Sequence, residues 1–293
     1  MDSQSLKAFL HVAETSSFSE AAETLFLTQP AVSKRIANLE QELDAKLFDR
    51  INRKVFLTEA GKTLLPKARQ ILHDMAAAER AINDMSGEVS GELSMGISHH
   101  IGLHRLPPVL RAFSQRYPNV RLDIDFLDSE QAHDLILRGE MDLAVITLAP
   151  QLEQNLEGFV VWPDPLSIVI AKGHPLANEQ TVSLKTLSKH TALLPGLNTY
   201  TGRIVKGLFD EAGFKMDVAM ATNYLETIKM MVSVGLGWSI LPHSLVDDSL
   251  IALQVEGKQL ERQLGCVHHK NRSLSNAAEA FVAMLRAEAD QTT

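Results

Sequence analysis

The sequence predicts an α/β domain preceded by a small all-helical unit with a wing and one long helix. Three observations carry this. Apolar residues at helical spacing run from Leu6 to Leu39, and a four-and-three apolar repeat runs from Leu64 to Met85. From residue 93 onward, short strand-like stretches alternate with amphipathic helical stretches.

The first unit reads as three short helices. Leu6, Phe9, Leu10 and Ala13 line one helical face, and Ser16-Ser17 interrupt it. Ser19 is the expected cap of a second helix through Ala21, Ala22 and Leu25. Thr28 is placed to cap a third, with Pro30 in its first turn, where a missing N–H costs nothing. That helix runs to about Leu43 and buries Val32, Ile36 and Leu39. Two helices joined by a short turn, the second opening polar, form a helix-turn-helix pattern.

A small hairpin follows, with Leu47-Phe48 and Val55-Phe56-Leu57 flanking a basic tip. The formal net charge of the chain is -8, which weighs against nucleic acid as a partner. Charge is local, however. Lys34, Arg35, Lys46, Arg50, Arg53 and Lys54 cluster on the third helix and wing, and such a cluster suffices to neutralise phosphates.

Residues 58–85 read as one long helix. Leu64, Ala68, Ile71, Met75, Ala78, Ile82 and Met85 form an a/d seam of three heptads. Alanines in the seam imply close, modest packing, and Pro66 should kink the helix or mark its start. The alternative is a stripe packed on its own domain. A dimer seam is preferred because no local core follows immediately. Residues 86–91 have a hinge composition.

Beyond the hinge, strands are expected at 93–97, 120–127, 142–147, 166–171, 218–221, 235–241 and 264–268. Helices fall between them and at 276–287, and Gly139 suits a helix C-terminus. The alternation argues for parallel sheet.

Several classes are excluded or disfavoured. The single cysteine, Cys266, rules out an internal disulfide framework and fits a reducing, cytoplasmic setting. Neither a secretory leader nor a membrane span is read, so no membrane partner is expected. His99, His100 and His104, with His133, raise zinc, and the spacing of His100 and His104 allows one helical face. Gly102 and Pro107 blur that helix, and no acidic residue completes a metal-protease motif, so no metal site and no cofactor are expected. Cys266 near His268 and His269 sits in an apolar strand and reads as an inert packed residue. With no phosphate loop or nucleophile elbow, an enzyme is disfavoured, and a transport solute-binding protein would need no winged helix.

The chain resembles the LysR-type transcriptional regulators over essentially its whole length. The residues that carry this are 18–25 (Phe18 to Leu25), 28–33 (Thr28-Gln29-Pro30-Ala31-Val32-Ser33), 36–40, 47–50 and 57–61 (Leu57-Thr58-Glu59-Ala60-Gly61). Residues 113–118, 139–144 and 235–242 are also similar to the family. The resemblance implies a winged helix-turn-helix at 1–58, a linker and dimerisation helix with hinge at 59–88, and an effector-binding domain at 89–293. That domain would be like the type 2 periplasmic binding proteins, with two lobes joined by crossover strands. Lobe I is placed at 92–161 plus 265–293, and lobe II at 162–264. The implied partners are double-stranded promoter DNA, a small effector, further copies of the chain as a homodimer or homotetramer, and RNA polymerase.

A helix in the major groove reads base edges with its first turns. The candidates there are Gln29, Pro30, Ser33 and Lys34. Gln29 can pair with adenine, Pro30 can touch a thymine methyl, and Lys34 can reach guanine or phosphate. Arg35 is expected to face the backbone, and Arg50 and Arg53 to track phosphates from the wing.

In the sensor, residues 97–102 and 198–203 are the candidate effector segments, with Thr147 at a strand end between them. Both open helices, whose N-termini favour anions. Ser98 and Thr201 would also serve as helix caps. The set resembles the sulfur-metabolism branch of the family, whose cleft takes sulfate through hydroxyls and amides. The implied effector residues are Ser98, His99, His100, Ile101, Thr147, Thr201, Gly202 and Arg203. Two departures are His100, where that branch has threonine, and Ile101, where it has glutamine. The effector is therefore expected to be a small oxyanion such as sulfate or sulfite, with a small organic carboxylate as the alternative. If His100 is charged in the complex, affinity should rise as pH falls toward 6.

Overall fold

The computed structural model describes residues 1–51, 54–83 and 88–292. It divides into two compact units, the first built from residues 1–86 and the second from residue 87 onward, save that residues 138–140 group with the first.

The first unit holds helices α1 (Ser3–Thr15), α2 (Phe18–Thr24) and α3 (Gln29–Leu43), the hairpin β1 (Phe48–Ile51) and β2 (Lys54–Leu57), and the long helix α4 (Glu59–Asn83). Leu6, Phe9, Val12, Val32, Ile36 and Leu39 form its core with Leu47 and Phe48 of the hairpin. The start of α2 differs from expectation. Ser17, not Ser19, is the cap, accepting the Glu20 N–H with its hydroxyl. Thr28 holds the cap position of α3 but makes no side-chain cap bond.

The wing is fastened by a buried carboxylate. Glu40 accepts the Leu47 N–H at 2.9 Å, the Phe48 N–H at 3.4 Å and the Lys46 ammonium at 2.6 Å. Burial raises its pKa, but the Lys46 and backbone bonds outweigh burial and hold it below the ordinary glutamate value.

The stripe on α4 is divided between two environments. Ala68 is fully buried, and Leu64 and Ile71 pack with it against the helix-turn-helix core. The first half of the stripe therefore belongs to its own domain, because α1 and α4 are neighbours. Met75, 45% exposed, and Ala78 lie beyond that core, while the side chains of Ile82 and Met85 fall outside the described ones.

The second unit is built on one sheet of eight strands. These are β3 (Gly91–Ile97), β4 (Val120–Phe126), β5 (Leu143–Thr147), β6 (Leu156–Ala171), β7 (Thr181–Val182), β10 (Ser239–Pro242), β11 (Leu250–Val255) and β12 (Leu260–His269). Their order is β4-β3-β5-β12-β6-β11-β7, with β10 beside β6. Strands β3, β4 and β5 run parallel, whereas β12 is antiparallel to both β5 and β6. β8 (Ala192–Leu194) and β9 (Val218–Ala221) pair separately in parallel.

β6 and β12 are longer than expected and serve both halves of the sheet. One half carries α5 (His99–His104), α6 (Pro107–Arg116), α7 (Ser129–Leu137) and α11 (Asn276–Thr292). Its core gathers Leu93, Met95, Phe113, Val145, Trp162 and Phe281. The other carries α8 (Leu184–Leu187), α9 (Tyr200–Ala212) and α10 (Leu225–Ser233), around Ile168, Phe209, Trp238 and Ile240. Gly139, past α7, has φ +67°, a conformation glycine takes at no steric cost. Among the described residues, no helix is long and apolar enough to cross a membrane.

Candidate functional site

The ends of β3, β5 and α9 meet the β6–β12 pair at a cavity lined by Ser98, His99, His100, Thr147, Thr201 and Arg262, among others. About 60 Å³ of it is open to the centre of a water-sized molecule. A single water position needs roughly 10–15 Å³ on that measure, so the cavity suits a small ligand of a few heavy atoms.

Its floor is an ion pair on the crossover strands. Arg262 of β12 lies opposite Asp164 of β6 in register, and its Nε donates to Asp164 Oδ2 at 2.7 Å. Its Nη1 donates to Thr201 Oγ1 at 3.0 Å. Arg105 stands 3.5 Å from the other Asp164 oxygen. Arg262 is only 7% exposed, and its Nη2 has no hydrogen-bond partner among the described residues. Two guanidinium groups, Arg262 buried and Arg105 29% exposed, face one carboxylate and leave a surplus of one positive charge. Burial lowers the Arg262 pKa, opposed by the Asp164 carboxylate.

His100 is buried beside this floor, 5% exposed, with neither ring nitrogen hydrogen-bonded among the described residues. Burial, and then the Arg262 charge, push its pKa down to about 3. Without a bound ligand it is therefore neutral near pH 6, and a gain of charge there would have to come from the bound anion. His99 stacks on Phe126 and lies tilted against Tyr224, with ring centroids 5.7 and 5.0 Å away.

The hydroxyls are arranged differently from expectation. Ser98 stands at the α5 cap position but makes no side-chain cap bond. Thr199, not Thr201, caps α9 by accepting the Gly202 N–H at 3.0 Å. Thr147 is buried, and its N–H donates to Ser129 Oγ at 3.1 Å.

Three candidates do not present a side chain to the cavity. Ile101 is fully buried in the apolar core behind α5. Gly202 is a packing position, where an added Cβ would meet the Gly196 carbonyl oxygen at 2.1 Å. Arg203 is exposed, donating to the Asn198 carbonyl at 2.8 Å and lying over the Tyr200 ring at 4.7 Å.

Carboxylates missed by sequence reasoning also line the cavity. Glu130 of α7 accepts the Tyr200 N–H at the start of α9. Asp128 accepts from Asn223 Nδ2 at 2.8 Å, and Asn223 Oδ1 accepts the Gly196 N–H at 3.0 Å. Burial, with the Glu130 charge second, pushes the Tyr200 hydroxyl up to about 12. It stays neutral and lies 3.2 Å from His133 Nδ1.

In the first unit, Gln29, Pro30 and Lys34 lie exposed on the opening turns of α3, with Ser33 and Arg35 half-buried among them. Gln29 donates to the Ser33 hydroxyl at 2.8 Å, and Arg35 Nη1 donates to Gln4 Oε1 at 3.1 Å. Arg50 belongs to β1, with its side chain outside the described ones, and Arg53 lies outside the described residues.

Residues 3–62 match the family described as bacterial regulatory helix-turn-helix protein, lysR family, and residues 86–290 match the LysR substrate binding domain. The chain belongs to the LysR family. It is a DNA-binding transcriptional regulator with an effector-binding domain. The chain is 31% identical over 285 residues to the HTH-type transcriptional activator CmpR of Synechocystis sp., covering 95% of this chain and 93% of that protein. It is 29% identical to the RuBisCO operon transcriptional regulator of Allochromatium vinosum, covering 97% and 95%. Its fold matches full-length CbnR complexed with its target DNA, with TM-score 0.71 and 21% identity over the whole of both chains. These relatives are regulators rather than enzymes, and the buried Cys266 thiol, pushed up to about 12 by burial, is a poor nucleophile.

Proposed function

We propose that this LysR regulator senses a small oxyanion, sulfate or sulfite in type, in the cavity above the Arg262–Asp164 pair. One observation carries the reading, the buried Arg262 guanidinium, which belongs to the cavity lining and whose Nη2 has no partner among the described residues. A buried polar group without a partner is costly, and an anion is the ligand that satisfies this one. Ser98, Thr147 and Thr201 supply hydroxyls beside it, and the thirteen-residue helix α9 adds its N-terminal dipole.

The carboxylates of Asp128 and Glu130 favour a second reading, an organic carboxylate that also carries an ammonium or hydroxyl donor. Calorimetry of the full chain with sulfate, sulfite and small amino and hydroxy acids separates the two. Sulfate or sulfite binding that weakens in Ser98→Ala supports the first; binding of none of these ligands rejects both.

We further infer that α3 enters the major groove with Gln29, Pro30, Ser33 and Lys34, while Arg35 and the wing cations Arg50 and Arg53 meet phosphates. Exposure of the α3 opening turns beside a fastened wing supports this placement. Gln29→Ala should lose about 1–3 kcal/mol of discrimination at particular bases. Arg53→Ala should weaken binding to all sequences and lower its salt dependence. Footprinting of both variants on specific and random DNA, with parental behaviour throughout, would reject the placement. Dimerisation through the exposed face of α4 and tetramer formation complete the proposed assembly.

A further inference from the structure

The sequence offers His100 and His104 on one helical face but no acidic residue near them to complete a metal site. The fold supplies one from 122 positions away. Glu226, in the first turn of α10, lies 2.7 Å from His104 Nε2. His100 and His104 rings stand 5.0 Å apart on α5. One donor atom from each of the three residues falls within 4.8 Å of the others.

We propose that His100, His104 and Glu226 bind a divalent ion of the zinc class, in a site that adjoins the oxyanion cavity and shares His100 with it. Two imidazoles and a carboxylate are a donor set suited to zinc and its neighbours rather than to magnesium or calcium. Bonds of about 2.0–2.2 Å set the donor atoms roughly 3.3 Å apart, so side-chain rotation of about an ångström converts the present cluster into a ligand shell. His100 lines the oxyanion cavity but makes no hydrogen bond to another described residue. It is an imidazole 95% withdrawn from solvent, with both nitrogens lacking a partner among the described residues. An unsatisfied buried donor or acceptor costs about 1–3 kcal/mol, and coordination removes that cost for one of them.

The surroundings limit the affinity in a definite way. Arg262 and Arg105 repel a cation, whereas Glu226 and an oxyanion in the neighbouring cavity attract it. Three protein ligands leave a fourth position for water or for an anion. Because His104 and Glu226 sit on opposite sides of the cleft, the ion would tie α5 to α10. Their present contact, between side chains 37% and 39% exposed, is the link the metal would replace.

The test uses the full chain, stripped with EDTA and held in buffer free of sulfate, titrated with Zn²⁺ by calorimetry and with Co²⁺ by visible absorption. One equivalent per chain, with the intense d–d band of four-coordinate Co²⁺, is expected. His104→Gln and Glu226→Gln are half-exposed changes that leave the cores intact, and each should weaken binding by more than about tenfold. His174→Gln, in the separate His174–His190 pair with rings 4.9 Å apart, should leave it unchanged. The assignment is overturned if the parent takes up no stoichiometric ion, or if either His104→Gln or Glu226→Gln binds as the parent does. Oxyanion binding measured without metal is scored separately, so either reading can fail alone.

Discussion

Replacing Arg262 by methionine tests the cavity floor directly. The side chain keeps its length and loses its charge, leaving Asp164 buried with only Arg105, 3.5 Å away and imperfectly placed. Breaking a buried pair by removing one partner costs about 3–5 kcal/mol, and the remaining guanidinium places this case at the low end, about 3 kcal/mol. For a domain the size of residues 86–290, each kcal/mol moves the melting temperature by about 2–4 °C, so a fall of about 6–12 °C is expected. The double variant Arg262→Met/Asp164→Leu removes both charges and should recover most of that loss. Thermal melts with and without sulfate then separate stability from binding. At a hundredfold excess over Kd, sulfate should stabilise the parent by about 2.7 kcal/mol, roughly 5–11 °C, and neither variant at all. A single variant melting within about 2 °C of the parent would refute the buried-charge argument. A double variant still stabilised by sulfate would refute the assignment of Arg262 to the anion.

Four further outcomes are expected. Glu40→Gln should loosen the wing and lower stability by about 1–3 kcal/mol, since it weakens bonds to a charged acceptor. The Glu40 pKa is depressed on folding, so its contribution is full above its ordinary value near 4.5 and is lost as pH falls through the folded value; acid melts of the variant should lack that component. Phe26, 96% exposed at φ +54°, ends α2 in a Schellman turn, with the Leu27 N–H on the Ala22 carbonyl; Phe26→Asn should raise stability by up to about 1 kcal/mol in denaturant unfolding. Met75→Glu with Ala78→Glu should reduce the mass seen by light scattering while the helix-turn-helix core survives, and unchanged mass would remove α4 from the interface. Glu130→Gln should tighten sulfate binding about tenfold by calorimetry, because it removes a like charge from the start of α9.

The pattern-bearing elements were legible in the sequence, and the site floor was not. β9 falls at its expected bounds, and α3 and β5 fall within about a residue of theirs, because periodicity and turn residues act locally. The crossover strands were read too short. β6 was expected at 166–171 and β12 at 264–268, whereas they begin at Leu156 and Leu260. Pro163 and Pro165 are residues that central strands disfavour, and Arg and Asp, here Arg262 and Asp164, are side chains most often found exposed. Each is tolerated because the other is present across the ladder, and no local window contains both. Glu130 on Tyr200 and Glu226 on His104 were hidden for the same reason, being partners 70 and 122 residues apart. The first half of the α4 stripe was open to two readings. It matches a heptad and also matches the groove left by α1, and sequence alone does not choose between two apolar partners.

The carboxylates of the cleft decide how an effector would act. Glu130 holds the first N–H of α9, Asp128 holds Asn223, and His104 holds Glu226. Each bond joins the side of α5 and α7 to the side of α9 and α10, so the protein bridges its own cleft with negative charge. A ligand shifts a conformational equilibrium only by its differential affinity for the two states. An oxyanion competes with Glu130 for the α9 terminus, so binding must release one bridge while it satisfies Arg262. A ligand carrying an ammonium group would instead sit between Glu130 and Arg262 and strengthen the same bridge. The two effector classes therefore drive the cleft in opposite senses, and the response to Glu130→Gln carries the sign: tighter binding for an oxyanion, weaker for an amino acid. That sign is fixed by electrostatics at the start of one helix, whatever the detailed shape of the ligand.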